Sequence, residues 1–380
     1  MSIESFRVEI PQGEVDELRA RLGVTRWPEE LPGVGWDYGV PVGYLRELAE
    51  YWRDEYDWRA AEARINEWEQ FTTTIDGARV HFAHLRSPEP DAVPLLITHG
   101  WPGSIVEFQE IAGPLTDPRR YGGEARPAFH LVMPSIPGFT LSGPTRETGW
   151  EQVRVARAFA ELMARLGYER YGVQGGDWGA AISREIGRLY PERVIGVHLN
   201  LIPGAGATSE PTDDELAPLS PEERERTVAS WRRFEGWLEE SQGYADLQTT
   251  RPQTLAYALT DSPVGQLAWI AEKFEEWSGD GGIDRDHLLT NVSLYWFTRT
   301  AGSAGRIYYE RKHWGQPLEP STAPTALADF PQDNFIPLRH IAERTNNIVR
   351  WTEYPRGGHF PALEEPDLLV TDIRAFFASL

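Results

Sequence analysis

A chain of 380 residues with 41% hydrophobic and 25% charged side chains is long enough for one large domain with appendages and too well mixed for disorder. Its formal net charge of −21 repels phosphate backbones and anionic lipid, so neither nucleic acid nor a membrane is an expected partner. Cysteine is absent, which removes disulfides, thiol nucleophiles and cysteine metal sites; with no basic leader and no apolar stretch of about 18 residues, a cytoplasmic protein is expected.

Residues 1–70 read as a helical, loop-rich arm. EVDELRARL has helical spacing, and RWPEELPGVGWDYGVP is broken by proline and glycine into an extended connection. YLRELAEYWRDEYDWRAAEARINEW then brings Leu45, Leu48, Trp52 and Tyr56 near one face. The pattern changes at residue 71. FTTTI, Asp76-Gly77 and ARVHFAHL predict a hairpin with a tight turn. VPLLIT (93–98), FHLVMP, YGVQGG and RVIGVHLNL read as strands; SIVEFQEIAGPL, WEQVRVARAFAELMARLG and AAISREIGRLY read as the helices between them. Such alternation predicts a parallel sheet covered on both faces.

From 206 to 310 the alternation gives way to helical patterns with Pro and Gly breaks. It resumes over 311–380 with TALADF, PLRHIAERT, NIVRWTEY and DLLVTDIRAFFASL. The expected organisation is therefore an arm (1–70), the first part of an α/β core (71–205), a helical cap (206–310) and the last part of the core (311–380).

Within that frame, Gly175-Gly176-Asp177-Trp178-Gly179 fits the strand–turn–helix elbow G-x-nucleophile-x-G, with aspartate where serine usually stands. In this architecture an acid and then a histidine follow the nucleophile along the chain. Asp333 in PQDN follows TALADF, and His359 in RGGHF follows NIVRWTEY. The loop HGWP after VPLLIT supplies the other half of an oxyanion hole, so the backbone N–H groups of Trp101 and Trp178 are the expected donors. Metal chemistry finds no support. His81 and His84 stand three apart in a strand and face opposite ways, no H-E-x-x-H occurs, and GDGGIDRD (279–286) lacks a calcium-loop spacing. Gly204-x-Gly206 is too fragmentary for a nucleotide fingerprint, so no cofactor is expected.

An aspartate is already an anion near neutral pH and can attack a saturated carbon directly, giving an ester whose carbonyl belongs to the protein. His359 would then activate water against that ester, steadied by Asp333. The leaving group must be good: a halide, or the oxygen of a strained epoxide. An opening epoxide needs a proton donor, and tyrosine can supply one. Tyr244, Tyr257, Tyr295, Tyr308 and Tyr309 all fall in the cap, and periodicity does not choose among them. A haloalkane-type dehalogenase using the same residues, with Trp178 and Trp101 toward the halide, is the rival chemistry; a binding protein on a dead scaffold would have lost one of the three groups.

The chain resembles epoxide hydrolases of the microsomal and juvenile-hormone type, members of the α/β-hydrolase superfamily, in FRVEIP, HGWPGS, PSIPGF, GGDWGA, RPQTLAYALTDSPVGQLAWIAEKFEEW, LLTNVSLYW and RGGHFPALEEPDLL. That resemblance implies an α/β-hydrolase fold with a helical cap, Asp177 as nucleophile, His359 as base, Asp333 as charge-relay acid, and Tyr244 and Tyr308 as ring-opening acids, the motif favouring Tyr308 over adjacent Tyr309. It implies an apolar or aromatic epoxide and water as reactants, no cofactor or metal, and a homodimer. The membrane anchor of the microsomal enzymes is not expected, and relatives of this kind in natural-product pathways, enediynes among them, make a biosynthetic substrate as natural as a detoxified one.

Overall fold

The computed structural model describes residues 2–311 and 318–380. One nine-stranded sheet runs through it: β1 (Glu4–Phe6), β2 (Gln70–Ile75), β3 (Ala78–Leu85), β4 (Val93–Thr98), β5 (Phe129–Pro134), β6 (Tyr171–Gly175), β7 (Val194–Leu199), β8 (Ser321–Asp329) and β9 (Asn346–Glu353). The spatial order is β1-β2-β3-β5-β4-β6-β7-β8-β9. From β5 to β9 every pairing is parallel. The first three strands are antiparallel to their neighbours, so the sheet is mixed, where alternation alone predicted a parallel one. The physical reason is the hairpin. Asp76 and Gly77 both adopt positive φ (48° and 76°), which closes a two-residue turn between Ile75 and Ala78.

Both faces of the sheet are covered. A Cβ on Gly196 of β7 would meet Phe376 of the C-terminal helix Pro366–Ala378, whereas the next residue, Val197, abuts Gly187 of the helix Asp177–Leu189. Consecutive strand residues point to opposite faces, so the two helices lie on opposite sides. The strands between them are mostly apolar, as double burial requires; Leu95, Leu96, Ile97, Val173 and Leu199 have no exposed surface, and the buried polar Gln174 and His198 are hydrogen-bonded to Asn200 and Asp372.

The arm belongs to the same body. β1 extends the sheet as its outermost strand, an addition the ESF sequence did not announce. The long helical pattern after residue 42 splits into Val42–Asp54 and Trp58–Ile65, because Asp57 caps the second helix by accepting from the amides of Arg59 and Ala60. Leu45, Leu48, Trp52 and Tyr56 are all buried. Trp52 Nε1 donates to Ser293 Oγ at 3.0 Å, and the Tyr56 hydroxyl meets Thr290 Oγ1 at 2.9 Å, fastening the arm to the helix Arg285–Thr298. That helix grips the loop after β4 in turn: Asn291 Nδ2 donates to the Pro102 carbonyl at 2.8 Å and the Tyr295 hydroxyl to the Gly103 carbonyl at 2.7 Å.

Three buried histidines serve the fold. His81 bridges Ser135 Oγ and Gln70 Oε1, at 3.0 Å each; His84 meets the Tyr168 hydroxyl; His99 Nε2 accepts from the Ile136 amide. Among the described residues no cluster of metal-ligating side chains occurs. Burial pushes His81 down to about 3 and His99 to about 4. The folded state therefore refuses protons that the unfolded chain accepts below about 6.5, and stability falls with pH through the window from 6.5 toward 4. Each unit is worth about 1.4 kcal/mol for each such histidine. The melting temperature should drop steeply between pH 6.5 and 4.5, and His81→Gln should flatten that slope; a flat wild-type profile would contradict the assignment.

Candidate active site

β6 ends at Gly175, and the helix Asp177–Leu189 begins at once. The turn is tight enough that a Cβ on Gly175 would lie 2.3 Å from the Gly179 carbonyl carbon, and one on Gly179 would lie 1.9 Å from the Thr98 carbonyl oxygen. Between them Asp177 is forced to φ 49°, a strained value for a side chain with a Cβ. The strain has a use: it lifts the carboxylate off the sheet, at the helix end where amide N–H groups point outward.

The loop after β4 comes equally close. A Cβ on Gly100 would sit 2.2 Å from Asp177 Oδ1, so only glycine lets the backbone pass. Trp101 N then donates to Asp177 Oδ1 at 2.8 Å. Trp178 occupies the first turn of the helix that Asp177 begins, and its ring meets the Tyr308 ring edge-on at 5.0 Å.

The other carboxylate oxygen faces histidine. His359 Nε2 is 3.6 Å from Asp177 Oδ2, and His359 Nδ1 is 2.7 Å from Asp333 Oδ1. Asp333 Oδ1 also accepts from the Asn334 amide at 2.6 Å, while its backbone carbonyl accepts from Arg233. Burial works against a charge on His359, but the two flanking carboxylates outweigh it and hold the imidazolium well above its ordinary range.

Tyr244, in the helix Gly243–Thr250, and Tyr308, in the helix Arg306–Glu310, hang over Asp177 from the cap. Their ring centroids are 6.0 Å apart. The Trp101 ring stacks on Tyr244 at 5.1 Å and meets Tyr308 edge-on at 5.8 Å. Burial, with Asp177 nearby, raises both phenols above their usual 10, so both keep their protons at neutral pH. The neighbouring tyrosines separate cleanly. Tyr308 is 2% exposed and Tyr309 36%. Tyr257 is largely in solvent, and Tyr295 is spent on the Gly103 carbonyl.

Two positioning groups escaped the sequence reading. Glu364 Oε2 accepts from the amides of Gly279 (2.6 Å) and Gly358 (2.9 Å), and its Oε1 accepts from the amide of Phe360 (2.8 Å). One carboxylate thus holds both neighbours of His359 and ties them to the cap, and the His359 amide adds a bond to the Trp277 carbonyl at 2.9 Å. Backbone amides have no sequence signature, so the glutamate of PALEE gave no signal beyond its charge. Lys273 Nζ lies 4.8 Å from the Tyr244 ring centroid, neutralised by Glu272 and Glu276. Its one hint was a lysine inside the apolar run AWIAEKFEEW.

Residues 3–108 match the family described as epoxide hydrolase N terminus, and residues 93–366 match the alpha/beta hydrolase fold family. The chain is 35% identical to epoxide hydrolase 1 of Sus scrofa over 414 aligned positions, covering 100% of this chain and 89% of that protein. Among solved structures it is similar to the Aspergillus niger epoxide hydrolase (33% identity, TM-score 0.87, covering 100% of this chain and 97% of that one). The juvenile hormone epoxide hydrolase of Bombyx mori is as near in shape (29% identity, TM-score 0.88, 100% and 94% covered). Among the described residues no helix is long and apolar enough to cross a membrane. In sequence and in fold, from arm to final helix, the chain belongs to the epoxide hydrolase family and is a hydrolase that acts on epoxides.

Proposed function

We propose that the enzyme opens an apolar or aromatic epoxide to a vicinal diol through an ester on Asp177. Asp177 Oδ2 bonds to one epoxide carbon as the carbon–oxygen bond breaks, and the departing oxygen takes a proton from Tyr244 or Tyr308. Water then attacks the Asp177 carbonyl carbon and gives a proton to His359 Nε2. The acyl–oxygen bond breaks, and the diol oxygen takes that proton from His359. Water's second proton passes from the new Asp177 carboxyl to the tyrosinate left by the first step, so the carboxylate, now holding one oxygen from water, and the phenol are both restored. Asp333 holds the imidazole, and the amides of Trp101 and Trp178 stabilise the tetrahedral oxyanion.

The observation that carries this reading is the pair of buried, protonated phenols close enough to Asp177 to feel its charge. A halide needs no proton on leaving, so two such phenols would be wasted in a dehalogenase. The aromatic walls around Tyr244, from Trp101, Trp237 and Trp277, support a flat or apolar substrate.

A single turnover of styrene oxide in ¹⁸O-water tests the covalent route. The first diol formed should carry oxygen from the protein and none from solvent; solvent label in that turnover would mean direct attack by water. Tyr308→Phe should slow ester formation by about 10²-fold while leaving ester hydrolysis nearly unchanged, and Tyr309→Phe should do little. Rapid-quench separation of the two steps reads this, and equal losses in both would remove Tyr308 from the acid role.

A further inference from the structure

Against Asp177 and His359 lies a cavity of about 20 Å³. Its walls include Thr98, Glu107, Gln174, Asp177, Asn200 and His359. A single water needs roughly 10–15 Å³ and two or more polar partners, so the size suits one molecule and no organic substrate. The polar lining is not self-satisfied. Among the described residues, Thr98 Oγ1 and Gln174 Oε1 have no hydrogen-bond partner, although both side chains are fully buried. Thr98 and Gln174 point to opposite faces of the sheet, and the orphaned Gln174 Oε1 on a wall of this water-sized space calls for a ligand that can donate to it.

Glu107 completes the ring of groups. Gly103 leaves it room to do so: a Cβ there would fall 1.3 Å from Glu107 Oε1. The carboxyl is thus held against the backbone of the HGWPGS loop, next to both members of the hydrolytic pair. Burial pushes it up to about 8, with Asp177 adding to the rise and His359 opposing it, so a neutral carboxylic acid is its main form at pH 7. A neutral acid can hold water without repelling Asp177.

We propose that this cavity is the station of the hydrolytic water, and that Glu107 is the positioning residue that holds it between His359 Nε2 and the Asp177 carbonyl carbon. The water gives one proton to His359 as its oxygen bonds to that carbon; its other hydrogen is held by Glu107 or Gln174. No proton is taken up or lost overall: the imidazolium returns one water proton to the departing diol oxygen, and the other passes from the new carboxyl to the tyrosinate formed at ring opening. The inference rests on the covalent ester proposed above.

Rapid-quench kinetics with styrene oxide test it. Glu107→Leu should slow ester hydrolysis about 10²-fold, so that ester accumulates, with ester formation within about threefold of wild type. Glu107→Gln, which keeps a neutral hydrogen-bonding group, should recover most of the lost rate. Gln174→Met, similar in size, should slow hydrolysis several-fold and formation little, and it keeps the test open should the leucine variant fail to fold. Equal slowing of both steps, or unchanged hydrolysis in both the leucine and methionine variants, would overturn the proposal. His359→Gln serves as the control. If it traps ester while the Glu107 and Gln174 variants hydrolyse normally, only the water station is wrong; if it traps none, the covalent route itself has failed.

Discussion

Asp177→Asn should reduce turnover by at least about 10⁴-fold, the scale on which loss of a nucleophile is felt. The carboxamide is neutral, and its nitrogen lone pair is delocalised, so neither atom attacks a saturated carbon at a useful rate. The fold should tolerate the change. The strain at φ 49° belongs to the backbone, and asparagine accepts positive φ at least as readily as aspartate. Trp101 N can still donate to the amide oxygen. The same machinery that cuts the ester can cut the amide, so activity should return slowly with a mass gain of about 1 Da as asparagine is hydrolysed. Intact-protein mass spectrometry beside activity would follow both. Substantial activity from the start, with residue 177 still an amide by mass, would mean that this carboxylate is not the nucleophile.

The parts of this enzyme legible in its sequence are those written in local pattern. Strand–helix alternation located β4 to β9, the Asp-Gly pair marked the β2–β3 turn, and the elbow glycines marked Asp177. Asp333 and His359 could be found because each follows a strand, and ends of parallel strands converge on one edge of a sheet. β1 could not be found: a three-residue edge strand exists only because β2 offers it partners. The tyrosines show the limit more sharply. Tyr244, Tyr257, Tyr295 and Tyr308 all sit on cap helices, and helical spacing says only which face of its own helix each occupies. Which face looks down on Asp177 is decided by packing between helices distant in sequence, such as the meeting of Tyr244, Trp101 and Trp277. The family resemblance, and not periodicity, singled out Tyr244 and Tyr308. Glu107 and Glu364 were invisible for a related reason: the partners of both include backbone atoms brought together by the fold.

His359→Gln should leave the enzyme able to make its ester and unable to lose it. In the resting site the imidazole stands between two carboxylates, 2.7 Å from Asp333 and 3.6 Å from Asp177, and their attraction outweighs the cost of burial. That arrangement favours the imidazolium, which is the wrong form for a base. Esterification changes the balance. Once Asp177 carries the substrate it is neutral, one of the two raising charges is gone, burial is unchanged, and the affinity of Nε2 for its proton falls. On the proposed route, formation of the ester thus prepares the base that destroys it, and the electrostatics would set the order of the two steps. Glutamine cannot accept the proton at any stage. Turnover should fall about 10³-fold or more, while ester formation, which needs Asp177 and a phenol, stays within a few-fold of wild type. One substrate mass should appear on each chain, confined after digestion to the peptide containing Asp177. An adduct on another residue would move the nucleophile, and steady diol release without any adduct would mean that water, and not the protein, opens the ring.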